Sequence, residues 1–162
     1  MTMRNHPLYT FGYEGLTIEA FVQRLHVAKV DLIVDVRELP LSRKKGFSKN
    51  AFREHLAASG IAYEHRPALG CPKPIRDRYR ADADWAAYTQ GFLAYLGRQH
   101  DEVRALADLA SVTRACLVCY EADPAMCHRT YVARAAHAAG GPVVQHLTAR
   151  TAFADAATLR AA

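Results

Sequence analysis

The run Val30-Asp31-Leu32-Ile33-Val34-Asp35-Val36 is apolar at nearly every position rather than at alternate ones. Side chains alternate across a sheet, so a strand with two hydrophobic sets cannot leave either face in water. It has to run inside a sheet that helices cover on both sides. Ala115 to Tyr120 makes the same demand a second time.

The rest of the chain supplies the cover. Leu8 to Phe11 carries aromatic and β-branched residues and reads as a first strand, which Gly12-Tyr13-Glu14-Gly15 turns out of. Thr17 is placed to cap a helix over Ile18 to Ala28, with Ile18, Phe21, Val22 and Leu25 on one face. Ser48 is placed likewise for a helix through Ala58, and Ile61 to His65 follows as a third strand. Arg66 to Pro74 holds three prolines and reads as loop. From Asp84 an aromatic stripe of Trp85, Tyr88 and Phe92 marks a helix, Asp101 to Ala110 a second, and Cys127 to Ala139 a third. Val143 to Leu147 is the fifth strand. The expected fold is an α/β three-layer sandwich with one mostly parallel sheet of about five strands. At 162 residues the chain is expected to form a single domain over 1–162, with its core at 8–148 and an alanine-rich tail or helix at 149–162.

Bulk properties narrow the function classes. No apolar run approaches the roughly 18 residues of a membrane span, and the first residues lack the apolar stretch of a signal peptide. The expectation is no membrane contact and a cytoplasmic location. A formal charge of +5 and a pI near 9.2 favour an anionic small molecule or nucleic acid as partner. Four cysteines in a reducing compartment suggest thiol, metal-ligand or core roles rather than a disulfide framework.

In a parallel sheet, ligands gather outside the carboxyl ends of the strands. Three segments bring polar groups to that edge: Gly12, Tyr13 and Glu14; Asp35 and Arg37; and the stretch from Cys119 through Glu121, Cys127, His128, Arg129 and Thr130. Asp35 and Arg37 share a strand face, where they form either a structural ion pair or an anion grip with a neighbouring base. Cys119 and Glu121 share a face by the same period. Cys127 and His128 arrive at the start of a helix, where a thiol loses its proton more readily. Arg129 and Thr130 resemble an anion cradle at that helix start. Arg43, in the basic loop Arg43-Lys44-Lys45, is a further substrate contact, and His65 at the end of the third strand is a candidate base.

The first reading is therefore an enzyme of hydrolase or transferase type on an anionic substrate. Asp35, Glu121, Cys127, Cys119 and His128 would be catalytic, and Gly12, Tyr13, Glu14, Arg37, Arg43, His65, Arg129 and Thr130 would contact substrate. A non-enzymatic nucleic-acid-binding module using the basic loops is the second reading. The third is a metal-holding thiol sensor built on Cys119, Cys127 and His128, with Glu121 as a further donor. No cofactor is expected, and Cys116-x-x-Cys119 is set aside as a metal pair because positions three apart on a strand face opposite ways.

Thr10-Phe11-Gly12-Tyr13-Glu14, Val34-Asp35-Val36-Arg37 with Pro40, Ser42-Arg43 and Phe47, Gly60-Ile61-Ala62-Tyr63 before Leu69-Gly70, and Cys119-x-Glu121 with Cys127-His128-Arg129 together resemble the bacterial family of domain of unknown function 488. The resemblance spans about Tyr9 to His146, and the late Cys-x-Glu with Cys-His-Arg is its most specific part. It implies an α/β sandwich with a polar pocket at these motifs, and it implies no particular reaction. The first turn departs from the family's usual Gly-His-Ser, since Tyr13 and Glu14 stand there. A mechanism that needs that histidine is unavailable to this chain, and Glu14 gains weight.

Overall fold

A computed structural model describes residues 5–159. The apolar run near residue 30 forms β2 (Leu32–Asp35), buried at every position, and the run near 115 forms β4 (Ala115–Cys119), also buried throughout. They pair in parallel, Leu32 opposite Ala115 and Asp35 opposite Val118. On the far side of β2 lies β3 (Ala62–His65), and on the far side of β4 lies β1 (Leu8–Gly12). β5 (Val144–Leu147) pairs in parallel with β1, and β6 (Ala152–Ala154) runs antiparallel along β5. The sheet order is β3-β2-β4-β1-β5-β6.

Helices cover both faces, as the two buried strands require. On one face α1 (Ile18–Val27) and α2 (Lys49–Ala58) bring Phe21, Leu25, Phe52 and Leu56 against Phe11, Ile33 and Val118. The Thr17 side chain accepts from the Ala20 N–H at 3.1 Å and caps α1, whereas Ser48 stands before α2 without such a bond. On the other face α4 (Trp85–Leu96), α5 (His100–Val112) and α6 (His128–Ala138) bring Phe92, Leu106 and Val132 against Leu8, Val34 and Leu117. Burying each Phe or Leu contributes about 1.5–3 kcal/mol, so the apolar faces of these helices hold the layers together. No helix among the described residues is long and apolar enough to cross a membrane.

Two elements differ from expectation. Among the described residues the sheet has six strands, because residues 152–154 of the alanine-rich tail add an antiparallel edge before a short helix α7 (Ala156–Leu159). The alanines hid it: none of the three residues is buried, so no apolar pattern marks the strand. Residues 1–4 and 160–162 of the expected span lie outside the described part. The second difference is α3 (Lys73–Asp82), a helix that begins inside the proline-bearing stretch read as loop and continues through residues assigned no element. It buries no residue fully, so hydrophobic periodicity could not reveal it. Its prolines sit at the helix start, where no amide partner is lost, and Lys73 pairs with Asp77 across one turn.

Candidate functional site

The tips of three parallel strands meet at one edge of the sheet. The Tyr13 N–H donates to the Cys119 carbonyl, the Glu14 N–H to the Tyr120 carbonyl, and the Val36 N–H to the Val118 carbonyl. Gly12 permits this crossing: a Cβ at that position would lie inside the carbonyl group of Glu121. The Glu14 carboxylate accepts from the Ala122 N–H at 2.9 Å and fastens the same loop. Alternation then sends side chains from these tips to opposite faces of the sheet.

Asp35 and Arg37 go to the α1/α2 face and are sealed there. The Asp35 carboxylate accepts from the Arg37 Nε and Nη2 at 2.9 and 2.7 Å, from the Arg37 backbone N–H at 3.1 Å, and from the Tyr63 hydroxyl at 2.6 Å. Arg37 Nη1 donates to the Phe47 carbonyl at 2.6 Å and to the Tyr13 hydroxyl at 3.2 Å, and its guanidinium lies near the rings of Tyr13 and Phe52. Burial alone would lower the Arg37 pKa, but the bonds and charge of Asp35 raise it; burial, then the Asp35 bond, likewise raises Tyr63. Asp35 is wholly buried and Arg37 is 7% exposed, so the pair presents little to solvent. His65 Nε2 donates to the Arg37 carbonyl at 2.8 Å and closes the end of β3.

The opposite face holds Cys119 and Cys127. Cys119 ends β4, and Cys127 is the residue from which α6 departs, with His128 in its first turn. His128 Nε2 meets the Val36 carbonyl at 2.8 Å. A carbonyl only accepts, so Nε2 carries the proton and Nδ1 is turned to the sulfurs. Nδ1 lies 3.7 Å from Cys119 Sγ and 3.9 Å from Cys127 Sγ, and the three donor atoms all fall within 4.8 Å of one another. Cys119, Cys127 and His128 are all buried. Glu121 Oε2 is 3.5 Å from Cys119 Sγ, and Glu121 is only partly buried.

The electrostatics of the cluster favour one negative charge on sulfur. Burial works to raise Cys127, yet hydrogen bonds with Cys119 and His128 and the charges of His128 and Arg129 bring it well below the ordinary thiol value. Cys119 goes well above it, driven by its bond to Cys127, then by burial and the Cys127 and Glu121 charges. Burial works to lower His128, and the bond to Cys127 with its charge raises it instead. Burial, then the Cys127 charge, raises Glu121.

Arg129 and Thr130, the expected cradle, are turned inward. Arg129 is wholly buried and donates to the carbonyls of Glu121 and Ala122, while Thr130 donates to the Pro124 carbonyl at 2.6 Å. Both therefore shape the loop 120–126. Arg43 is exposed on the 38–47 loop. Sequence reasoning did not reach three neighbours of the cluster: the Val36 carbonyl, Phe92, whose ring meets His128 edge-on at 5.2 Å, and Tyr88. The electrostatic influence of Cys119 and Cys127 reaches Tyr88, which also bonds with Cys71. Burial pushes the Cys71 thiol up to about 11. Phe92 and Tyr88 read from the sequence only as an aromatic helical stripe, which carries no mark of what lies opposite it.

The family model described as Domain of unknown function DUF488 matches residues 17–136 of the 162. The matched span contains Asp35, Arg37, Cys119, Glu121, Cys127, His128 and Arg129, and the turn at Gly12 to Glu14 lies before it. No curated protein and no solved structure matches the chain. With well over half of its length matched, the chain belongs to the family of Domain of unknown function DUF488.

Proposed function

We propose that the protein is an enzyme acting on an anionic substrate such as a nucleotide, nucleic acid or other phosphate ester. Its reaction centre is the group Cys119, Glu121, Cys127 and His128, and Glu121 transfers the proton. What carries this reading is the convergence of two sulfurs and an imidazole nitrogen within 4.8 Å of one another, beside a carboxylate that is not fully buried. Buried ligand-type groups with an accessible acid–base group at the rim are an uncommon way to build a core and a common way to build a site.

The guanidinium groups of Arg37 and Arg129 are engaged within the protein, so the substrate's charge is left to exposed cations such as Arg43 and Lys45. The formal charge of +5 supports the same preference.

The test is a panel of nucleotides, single-stranded DNA, RNA and simple phosphate esters incubated with the full chain, followed by its Glu121→Gln variant. Turnover should fall about 10²-fold or more in that variant, the range for loss of a general acid or base. Turnover equal to that of the parent would remove Glu121 from the mechanism. Nucleic-acid binding without turnover, falling steeply with salt and abolished by replacing Arg43 and Lys45, would replace the enzyme with a binding module.

A further inference from the structure

We propose that Cys119, Cys127 and His128 are the three protein ligands of a zinc-class divalent cation, with a fourth position beside Glu121 that water occupies. The inference rests on the reaction centre proposed above and supplies its cofactor.

Four observations lead to it. The first is spacing. Tetrahedral zinc, bonded at about 2.3 Å to sulfur and about 2.0 Å to nitrogen, sets its donors about 3.5–3.8 Å apart. His128 Nδ1 lies 3.7 and 3.9 Å from the two sulfurs and all three donors are within 4.8 Å of one another, so a cation would join them by drawing them inward by between a few tenths of an ångström and about 1 Å. The second is the orientation of the ring. Metal-bound histidines almost always donate their other N–H to a carbonyl or carboxylate, which fixes the tautomer. His128 makes that bond to Val36 at 2.8 Å, and the edge of Phe92 holds the imidazole from the side.

The third is charge. Arg129 is a wholly buried cation that meets two backbone carbonyls, and its Nε has no hydrogen-bond partner. No ion pair with a carboxylate is formed by Arg129 among the described residues. A buried guanidinium is costly unless negative charge lies close to it. Two thiolates and a carboxylate around a divalent cation carry a net single negative charge, which Arg129 balances. The fourth is donor type: two sulfurs and one imidazole suit zinc and exclude the oxygen-seeking cations magnesium and calcium.

The site is built by local chain geometry. β4 ends at Cys119, the 120–126 loop returns the chain, and α6 starts at Cys127 with His128 beside it. Binding replaces the thiol protons, which leave to solvent, and uses the lone pair of Nδ1. Cys2His with one remaining position is a catalytic rather than a structural zinc arrangement. A cation there lowers the pKa of its bound water, and the adjacent Glu121 carboxylate can take the proton.

The test uses the full chain. Elemental analysis of protein purified without chelator should find about one zinc per chain. Chelator-stripped protein titrated with Co2+ should develop a thiolate-to-cobalt charge-transfer band at one equivalent. Cys119→Ser, Cys127→Ser and His128→Ala should weaken or abolish the band, while Cys116→Ala, on the opposite face, and Glu121→Gln keep it. A stripped parent chain that takes up neither Zn2+ nor Co2+ overturns the proposal even if the ligand variants fail to fold. A band that survives replacement of both Cys119 and Cys127 overturns it too. Metal uptake without turnover on any anionic substrate upholds the centre and removes the enzymatic reading. Turnover by a chain that binds no metal does the reverse.

Discussion

At the end of β2 the Asp35 carboxylate accepts four hydrogen bonds, from Arg37 and Tyr63, inside a ring of Tyr13, Phe47 and Phe52. Across the sheet, at the end of β4, two sulfurs and an imidazole nitrogen face one another with contacts of 3.7 and 3.9 Å. Both clusters are buried and polar, and they sit on adjacent strands. The first has spent its bonding capacity internally, which is how a stable core accommodates charge. The second keeps strong metal-ligand and nucleophilic atoms in weak contacts and has a partly exposed carboxylate at its rim. Burial of polar groups alone therefore does not locate a site. Incomplete use of their bonding capacity does.

Substitutions on either side of the sheet test that contrast. The largest effect is expected from Asp35→Ala, which strands Arg37 as an unpaired buried charge and should cost about 3–5 kcal/mol in urea unfolding. A loss below about 1 kcal/mol would show that the pair is not a structural keystone, and the anion-grip reading of Arg37 would return. Next comes Gly12→Ala, whose Cβ collides with the Glu121 carbonyl. It should cost about 1–3 kcal/mol and displace the loop carrying Glu121, so reactivity at Cys127 should change with it. A variant as stable as the parent would mean that the strand tips are not locked together.

Acid should act on the cysteine-bearing face through β5. Burial lowers His146, which accepts from or donates to Thr10 at 2.6 Å. Burial works to raise Asp155, but its bonds from Arg134 and the Ala157 N–H and the Arg134 charge bring it below the ordinary value. A depressed folded value means stability that is present above the unfolded value and lost as pH falls through the folded one. For His146 the loss begins below about pH 6.5, and for Asp155 below about pH 3.8. His146→Gln should flatten the upper part of the decline; an unchanged slope would assign it elsewhere. The smallest expected effect is that of Glu121→Gln on stability, within about 0.5 kcal/mol as for other partly exposed positions. A fall comparable to that of Asp35→Ala would move the Glu121 cluster to the structural side of the comparison.

Much of this was legible before any coordinates. Consecutive apolar residues at 30–36 and 115–120 demanded a sheet covered on both faces, and alternation put Asp35 with Arg37 and Cys119 with Glu121. Alternation also separated Cys116 from Cys119, and the two now belong to different sides of the sheet. What escaped had no periodic signal: α3 buries nothing fully, and the edge strand at 152–154 is exposed along its length. The choice between ion pair and anion grip for Arg37, and the inward placement of Arg129, escaped for another reason. An arginine at a strand end or a helix start looks the same in sequence whether it faces a ligand or the carbonyls of a neighbouring loop.

The residues that form the cysteine cluster lie within ten positions of one another, from Cys119 to His128, and the rules of strand and helix geometry at that range suffice to bring them together. Whether Asp35 would join them, and which atoms would be left free, depended on contacts from Tyr63, Phe47, Val36 and Phe92. Those contacts arise only when strand order and helix packing bury remote segments against each other, because backbone periods repeat locally while burial is a property of the whole chain.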